Sequence, residues 1–267
     1  MNYIGIDIGS TSAKTAVFSD DAKIQTLFVV PTGWSSFQAL ETIEEILRQK
    51  GIELENSRIV STGYGRKAVK YADKAITEIT CHTKGAAQLF GDAPMHIIDV
   101  GGQDTKVISA ANGRVEEFFM NDKCSAGTGK FVEIMANRLA VPVDELGAYA
   151  ANHTEKISIS SMCTVFAESE IISMIGQGAS RENIAWGILS SIAMKVKTEY
   201  SKLTSKDCPV YLTGGLCENT YFTELLSDYI GKKVGTAPNA RFAGAIGAAV
   251  YALGDARPLG LSSWGRS

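Results

Sequence analysis

The sequence lacks a long hydrophobic run and a strong charge of either sign. No apolar stretch approaches the ~20 residues that would span a bilayer, and the strand-like segment 3–8 follows the N-terminus without a basic or signal-type segment. The formal net charge of −3 gives no electrostatic reason to expect nucleic acid or an anionic membrane surface as a partner. We therefore expect a cytoplasmic protein, with neither nucleic acid nor a membrane among its partners.

Histidine is scarce, and the cysteines form no paired motif. The three histidines show no ligand spacing, and none of the five cysteines belongs to a C-x-x-C pair. In a reducing compartment, an odd and widely spaced set of cysteines argues against a disulfide framework. Each cysteine is then a buried filler, a reactive thiol or a metal ligand. The five are Cys81, Cys124, Cys163, Cys208 and Cys217.

Strand and helix patterns alternate without a low-complexity linker, which predicts an α/β protein of packed lobes. Strands are predicted over 3–8, 15–18, 24–30, 59–62, 97–100, 107–109 and 210–213. Helices are predicted over 37–47, 131–139, 168–175, 180–203, 222–230 and 243–252. The first of these helices has a predicted buried face of Phe37, Leu40, Ile43, Ile46 and Leu47. The tail from Gly254 has little periodicity, and we expect it to be loose.

An internal repeat is the most informative feature of the sequence. The segment Ile6–Lys14 recurs as Ile98–Lys106. In both copies an aspartate ends a hydrophobic strand, a glycine follows two residues later, and a lysine seven residues later begins the next strand. Each copy is typical of a β-hairpin with a tight polar turn, and the duplication indicates two related lobes.

The repeated turns have the chemistry to bind nucleotide phosphates. Glycine lets the backbone approach a phosphate, and successive N–H groups form an anion-binding nest. Ser10, Thr11 and Ser12 would add hydroxyl donors and Lys14 a point charge, whereas an aspartate holds Mg²⁺ directly or through water. A single copy would be interpreted as a plain hairpin turn. The matching aspartate and lysine spacing of two copies favours phosphate binding.

A third glycine-rich point lies in the second half of the chain. The strand-like segment 210–213 breaks into Gly214-Gly215, which suits a nucleoside packed flat against the backbone. Gly244–Ala249 offers a helix face of small residues, although such faces more often serve packing alone. The segment Cys124–Phe131 is not a P-loop, because cysteine and phenylalanine stand where that motif requires glycine and Ser/Thr.

The two aspartate turns and the later Thr213-Gly214-Gly215 resemble the phosphate-1, phosphate-2 and adenosine motifs of the actin/sugar-kinase/Hsp70 superfamily. The resemblance implies an α/β fold of two ribonuclease H-like lobes with a nucleotide cleft between them, at 1–94 plus 243–260 and at 95–242. It implies ATP or ADP and Mg²⁺ as ligands. The implied catalytic residues are Asp7, Asp99 and Asp104, and the implied nucleotide-binding residues are Ser10, Thr11, Ser12, Ala13, Lys14, Gly101, Gly102, Gln103, Gly214 and Gly215.

Cys124 and Cys163 each precede a predicted helix. A helix N-terminus favours the thiolate that binds metal, and small neighbours leave room for an inorganic cluster. The alternative is burial as a small hydrophobic residue, and spacing alone does not decide between the two. Two ligands cannot complete a four-thiolate site, whereas two from each chain of a symmetric dimer can.

Four segments closely resemble the activator component of 2-hydroxyacyl-CoA dehydratases, in a likeness that runs over about residues 3–253. They are Thr62–Arg66, Ile98–Lys106, Asn121–Phe131 and Ser160–Glu170. The wider family includes the ATPase subunits of benzoyl-CoA reductase. The resemblance implies a homodimer whose single [4Fe–4S] cluster is bridged by Cys124 and Cys163 of each chain. It also implies that ATP hydrolysis drives a low-potential electron from ferredoxin or flavodoxin through the cluster into a dehydratase or related reductase.

The sequence departs from the family pattern at a few positions. Ser125 and Lys130 replace a frequent alanine and arginine, and we expect neither to disturb a cluster. Cys217 stands where the family usually has a residue without a thiol, so it is interpreted as a packing residue, with a second redox thiol as the alternative. Cys81 and Cys208 are interpreted as structural.

Two other functions fit the same fold. One is a small-molecule, sugar-type kinase with structural cysteines, and the other is a non-catalytic, nucleotide-dependent scaffold. A kinase needs a base at a substrate hydroxyl and a sugar-sized pocket, and no separate motif for either stands out.

If ATP makes the cluster more reducing, the nucleotide site and the cluster must be coupled by a sufficient free energy. A typical coupling free energy of ~1–3 kcal/mol shifts a one-electron potential by only about 40–130 mV. We therefore hypothesise a mechanical link in which nucleotide state changes the lobe angle and rotates the helices that begin at the two cysteines.

Overall fold

The computed structural model describes residues 1–123, 127–159, 163–205 and 207–254. The chain divides into two compact units. The first holds Met1–Gln88 and the chain from Phe242 onward, and the second holds Leu89–Arg241. The boundaries predicted from the sequence were after residues 94 and 242. The tail beyond Gly254, which we expected to be loose, lies outside the described residues.

The described residues form strands and helices in alternation. The strands are β1 (Asn2–Ile8), β2 (Ser12–Phe18), β3 (Ile24–Pro31), β4 (Ser57–Thr62), β5 (Lys74–Ala75), β6 (Met95–Val100), β7 (Thr105–Ala111), β8 (Arg114–Asn121), β9 (Val210–Gly214) and β10 (Val234–Gly235). The helices are α1 (Ser36–Gln49), α2 (Glu78–Phe90), α3 (Gly129–Leu139), α4 (Leu146–Ala151), α5 (Thr164–Gly176), α6 (Arg181–Tyr200), α7 (Thr220–Ile230) and α8 (Ala243–Leu253). None of these helices is long and apolar enough to cross a membrane.

The two units contain five-stranded sheets of the same topology. The strand order is β3-β2-β1-β4-β5 in the first and β8-β7-β6-β9-β10 in the second. In each sheet the central strand is antiparallel to its hairpin partner, β2 or β7, and parallel to β4 or β9 on its other side. The sequence repeat therefore corresponds to two hairpins at equivalent places in two related sheets, as predicted.

Helix α1 covers one face of the first sheet. The Ser35 side chain accepts a hydrogen bond from the Gln38 N–H and caps the N-terminus, and the helix ends at Gln49. Its buried residues are Ala39, Leu40, Ile43 and Leu47. The prediction was wrong for Phe37, which is exposed because it lies in the first turn at the edge of the buried face.

Helix α8 packs on the other face of the first sheet through very small residues. A Cβ atom on Gly5 of β1 would lie 2.0 Å from the Ala245 carbonyl oxygen, and one on Gly247 would lie 1.7 Å from the Cys81 carbonyl oxygen of α2. These distances are far shorter than real contacts, so the backbones touch directly. The small-residue helix face noted in the sequence is a packing surface in the first unit.

Helix α6 forms the centre of the second unit. Ser180 caps its N-terminus, since the Ser180 side chain accepts a hydrogen bond from the Asn183 N–H. The helix ends at Tyr200, three residues before the predicted end. Its side chains are buried on nearly all sides, because α3, α4 and α7 surround it.

Helix α2, helix α4 and strand β8 were not predicted from the sequence. The buried side of α2 carries Cys81, His82, Thr83 and small residues, so it lacks the large apolar periodicity that marks an amphipathic helix. Strand β8 is an edge strand whose side chains alternate between exposed and half-buried. Its successive glutamates at 116 and 117 conceal that alternation in the sequence.

Candidate functional site

The turn of the first hairpin connects β1 to β2. The Gly9 N–H donates to the Ser12 carbonyl oxygen at 3.1 Å and closes the turn. Thr32 fixes it from behind, because its Oγ1 donates to the Gly9 carbonyl oxygen at 2.7 Å. Ser10 and Thr11 are exposed at the tip, Ser12 is half-buried and the Ala13 side chain is buried. The predicted hydroxyl donors therefore stand on a fixed backbone.

The Asp7 carboxylate lies at the end of β1, where two glycines make room for it. A Cβ atom on Gly63 would lie 2.5 Å from Asp7 Oδ1, and one on Gly244 would lie 2.4 Å from Asp7 Oδ2. Asp7 pairs in register with Lys14, which is half-buried and forms no ion pair with any described residue. The Lys14 ammonium is thus available for an anion near a buried carboxylate.

The turn of the second hairpin holds a buried cluster of charges. The Gly101 N–H donates to the Asp104 carbonyl oxygen at 2.9 Å, with Gly102 half-buried and Gln103 exposed beside it. Lys106 Nζ lies 2.8 Å from Asp104 Oδ1 and 3.3 Å from Asp99 Oδ2, and each of the three side chains is at most 5% exposed. Two carboxylates and one ammonium leave a net negative charge in a water-poor place.

One carboxylate oxygen of this cluster is positioned for a cation. Asp104 Oδ2 is buried and has no hydrogen-bond partner among the described residues. An unpartnered buried carboxylate oxygen is unfavourable unless something else binds it. Carboxylate oxygens are the ligands that Mg²⁺ prefers, so the donor set fits this ion.

The strand beside the second hairpin ends in the predicted Thr213-Gly214-Gly215. Thr213 Oγ1 donates to the Ile98 carbonyl oxygen at 3.2 Å and lies 3.4 Å from Asp99 Oδ1. A Cβ atom on Gly214 would lie 2.4 Å from the Val100 carbonyl oxygen, whereas one on Gly215 would meet nothing within 4 Å. Gly215 therefore presents open backbone, as a surface for a flat ligand requires.

The repeat extends to a second pair of equivalent residues, which were not predicted from the sequence. The register places Thr62 beside Asp7 and Thr213 beside Asp99. The glycines that follow these threonines, Gly63 and Gly214, have φ angles of +83° and +82°, which favour glycine. The shared Thr-Gly dipeptide at the end of a strand was the sequence signal for this correspondence.

Residues 4–252 match the model of the BadF/BadG/BcrA/BcrD ATPase family. The chain belongs to this ATPase family. The (R)-2-hydroxyglutaryl-CoA dehydratase activating ATPase of Acidaminococcus fermentans is 39% identical over 252 residues, which cover 93% of this chain and 96% of that protein. The activator of lactoyl-CoA dehydratase of Anaerotignum propionicum is 41% identical over 255 residues, which cover 94% and 97% of the two chains.

A solved member of the dehydratase activators has the same fold. The activator of the 2-hydroxyisocaproyl-CoA dehydratase from Clostridium difficile, with bound ADPNP, superposes with a TM-score of 0.89 at 36% identity, covering 95% of this chain and 94% of that one. The predicted fold of the actin/sugar-kinase/Hsp70 type, with two α/β lobes, is confirmed. The predicted ATPase family is confirmed as well.

The cysteines of this ATPase family member occupy two kinds of environment. Cys163 is exposed and stands at the N-cap position of α5, while Cys124 lies outside the described residues. Burial raises the pKa of the Cys81 thiol to about 12 and that of Cys217 to about 11, and it also raises the pKa of Cys208. These three sulfurs favour the protonated thiol, which agrees with the packing interpretation of Cys217.

Proposed function

We propose that this chain hydrolyses ATP in order to deliver a low-potential electron from a shared [4Fe–4S] cluster to a 2-hydroxyacyl-CoA dehydratase or a related reductase. The observation that carries the proposal is the near-complete match to two relatives named for dehydratase activation, at 39% and 41% identity. Family membership supports the ATPase part of the proposal. A cytoplasmic location and a ferredoxin or flavodoxin as electron donor complete it.

The nucleotide site is proposed at the two hairpin turns and the adenosine motif. Lys14 and the hydroxyls of the first turn would bind phosphate oxygens, because each is a donor on a fixed backbone. The carboxylates of Asp7, Asp99 and Asp104 would hold Mg²⁺ directly or through water. The proposed contacts of the phosphates and nucleoside are Ser10, Thr11, Ser12, Ala13, Lys14, Gly101, Gly102, Gln103, Gly214 and Gly215.

Lys106 compensates part of the charge of the acidic groups at the second turn. Lys106 lies within ion-pair distance of both Asp99 and Asp104, and it is almost wholly buried with them. The net negative charge of this cluster is compensated when a divalent cation binds.

The cluster site is proposed at Cys124 and Cys163 of two chains. Cys163 fits such a site because its thiol is exposed at the N-terminus of the 13-residue helix α5, whose first N–H groups have no partner within the helix. A thiol buried in one chain could not reach a group shared with a second chain. When bound, the cluster would supply one-electron storage and transfer.

Helix α5 also supports the proposed homodimer. It leaves several large apolar side chains exposed: Val165, Phe166, Ile172 and Ile175. Contiguous exposed apolar surface is uncommon on monomers and marks interaction sites. A two-fold contact through this face would bring the Cys163 residues of both chains to one place, as a cluster with two ligands per chain requires.

Iron and sulfide analysis after anaerobic purification tests the proposed function. We expect about four irons for every two wild-type chains and a loss of iron in Cys163→Ala and Cys124→Ala, with ADP binding retained. Cys208→Ala is the matched control and should keep its iron, because the Cys208 thiol is half-buried and burial raises its pKa, whereas the Cys163 thiol is exposed. An iron-free dimer that phosphorylates a sugar would instead establish the kinase alternative.

A further inference from the structure

One buried hydrogen bond joins the strand after the second turn to the segment after Cys124. Thr105, the first residue of β7, is almost wholly buried, and its Oγ1 donates to the Gly127 carbonyl oxygen at 2.7 Å. In the sequence, Gly127 comes three residues after Cys124. A hydrogen bond between two buried groups is stronger than one in water, so this bond holds Thr105 and Gly127 together.

The turn itself is joined to the start of α3. The Gly129 N–H donates to the Gly101 carbonyl oxygen, and the Lys130 N–H donates to the Gly102 carbonyl oxygen, both at 2.8 Å. The first N–H groups of a helix have no partner within it, and the Thr128 side chain does not cap this helix. Here the phosphate turn supplies the missing acceptors, so a displacement of Gly101 or Gly102 displaces the helix start.

Helix α6 holds the same segment from another side. A Cβ atom on Gly127 would lie 3.2 Å from Lys195 Cβ and 3.3 Å from Lys195 Cδ. The Lys195 ammonium lies 5.7 Å from the centre of the Phe131 ring of α3. Gly127 is therefore enclosed by Thr105 and Lys195, so its backbone has little room to absorb a movement of β7.

The internal repeat shows that the Thr105 hydroxyl is not needed to form a hairpin. Thr105 precedes Lys106 as Ala13 precedes Lys14, so the equivalent position of the first hairpin has no hydroxyl. There the turn is fixed by Thr32, which comes from the end of β3 and its connection to α1. The hydroxyl occurs only in the hairpin that is followed by a cysteine segment.

We propose that Thr105 is a positioning residue that transmits nucleotide state from the second turn to the Cys124 segment. A phosphate bound at Gly101 and Gly102 would shift the turn, and the Thr105 and α3 contacts would pass this shift to Gly127 and so change how exposed the cluster is. The inference rests on the proposed function. It assigns this transmission to contacts within the second unit, whereas the lobe-angle hypothesis required rotation of whole lobes.

The rate at which an external iron chelator removes iron from the anaerobic protein tests the inference. The measured quantity is the ratio of the rates with ADPNP and with ADP, which we expect to differ from one by about 5- to 150-fold in the wild type. Thr105→Val keeps the shape of the side chain and removes the donor, so its ratio should fall close to one while ADPNP still binds. Thr105→Ser keeps the donor and should keep most of the wild-type ratio.

A matched control lies in the first hairpin. Thr15 is fully buried, and its Oγ1 has no hydrogen-bond partner among the described residues, so Thr15→Val should leave the ratio unchanged. If Thr105→Val does not fold, Thr105→Ala takes its place, because alanine is the residue found at the equivalent position of the first hairpin. A wild-type ratio in Thr105→Val, or in Thr105→Ala where that variant replaces it, would overturn this inference alone, as would nucleotide-independent chelation in the wild type. A wild type without iron would overturn the proposed function together with it.

Discussion

Lys14 and Lys106 occupy equivalent positions of the two hairpins but carry their charges in different surroundings. Lys106 is 1% exposed and pairs with two carboxylates, whereas Lys14 is half-buried and forms no ion pair with a described residue. Removing the cation from a buried ion cluster leaves uncompensated charge behind. The same substitution should therefore have different consequences at the two positions.

We predict that Lys106→Met lowers the free energy of unfolding by about 3–5 kcal/mol, because Asp99 and Asp104 remain buried without their cation. Lys14→Met should change stability by about 0.5 kcal/mol or less and weaken ATP binding about 10- to 100-fold, because a charged donor to phosphate is lost. Urea denaturation and calorimetric titration measure the two effects. Equal losses of stability in both variants would contradict this assignment.

His96 predicts a pH dependence of stability. It is buried with hydrogen bonds to the Tyr200 hydroxyl and to Ser205 Oγ, both 2.9 Å long. Burial and then the charge of Lys232 lower its pKa, against the weaker opposing effect of nearby carboxylates. The unfolded chain therefore binds the proton more readily, so this contribution is complete above the ordinary histidine pKa of about 6.5 and is lost as the pH falls below it.

The expected loss is at most about 1.4 kcal/mol per pH unit from this one group. His96→Gln removes the titrating group and keeps a side chain that forms hydrogen bonds. Its free energy of unfolding should fall less steeply than that of the wild type below about pH 6.5. Parallel curves for the two proteins in urea denaturation would show that His96 is not the group responsible.

At the scale of elements, the contact of α8 with α2 depends on glycine. A Cβ atom on Gly247 would lie 1.7 Å from the Cys81 carbonyl oxygen and 2.7 Å from the Gly85 backbone nitrogen, and neither can move as a side chain would. Gly247→Ala should therefore lower the free energy of unfolding by at least about 1–3 kcal/mol.

Gly176→Ala is the matched control for this prediction. A Cβ atom on Gly176 would meet nothing within 4 Å, so the change should stay within about 0.5 kcal/mol of zero in urea denaturation. Similar losses in the two variants would mean that the α2–α8 contact does not depend on the absence of a Cβ.

The elements differ in how far the sequence alone predicts them. The two hairpins were predictable because the aspartate, glycine and lysine spacing recurs, and α6 because large apolar residues follow a good N-cap. Helix α2 was not predictable, because it packs through glycine and small polar residues, which give no periodic pattern of large apolar side chains. The two carboxylate contacts of Lys106 depend on how the turn folds back, which residue spacing does not specify.

At the scale of the whole molecule, the exposed apolar face of α5 predicts a dimer that one charge should disrupt. Phe166 is 67% exposed on α5, and Phe37 is 62% exposed on α1. Phe166→Asp should raise the dimer dissociation constant about 30-fold or more, because a charge would be buried at the contact. Phe37→Asp introduces the same charge at an equally exposed phenylalanine and should leave the dimer intact in sedimentation velocity. Equal dissociation of the two variants would contradict the assignment of this face.

The most direct test of the central claim is native mass spectrometry of the intact protein prepared without oxygen. The claim is that two chains of an ATPase share one cluster through Cys124 and Cys163. It predicts a species with the mass of two chains and one [4Fe–4S] cluster in the wild type, and cluster-free protein in Cys163→Ala. A cluster on each separate chain, or a wild-type dimer without iron and sulfide, would contradict it.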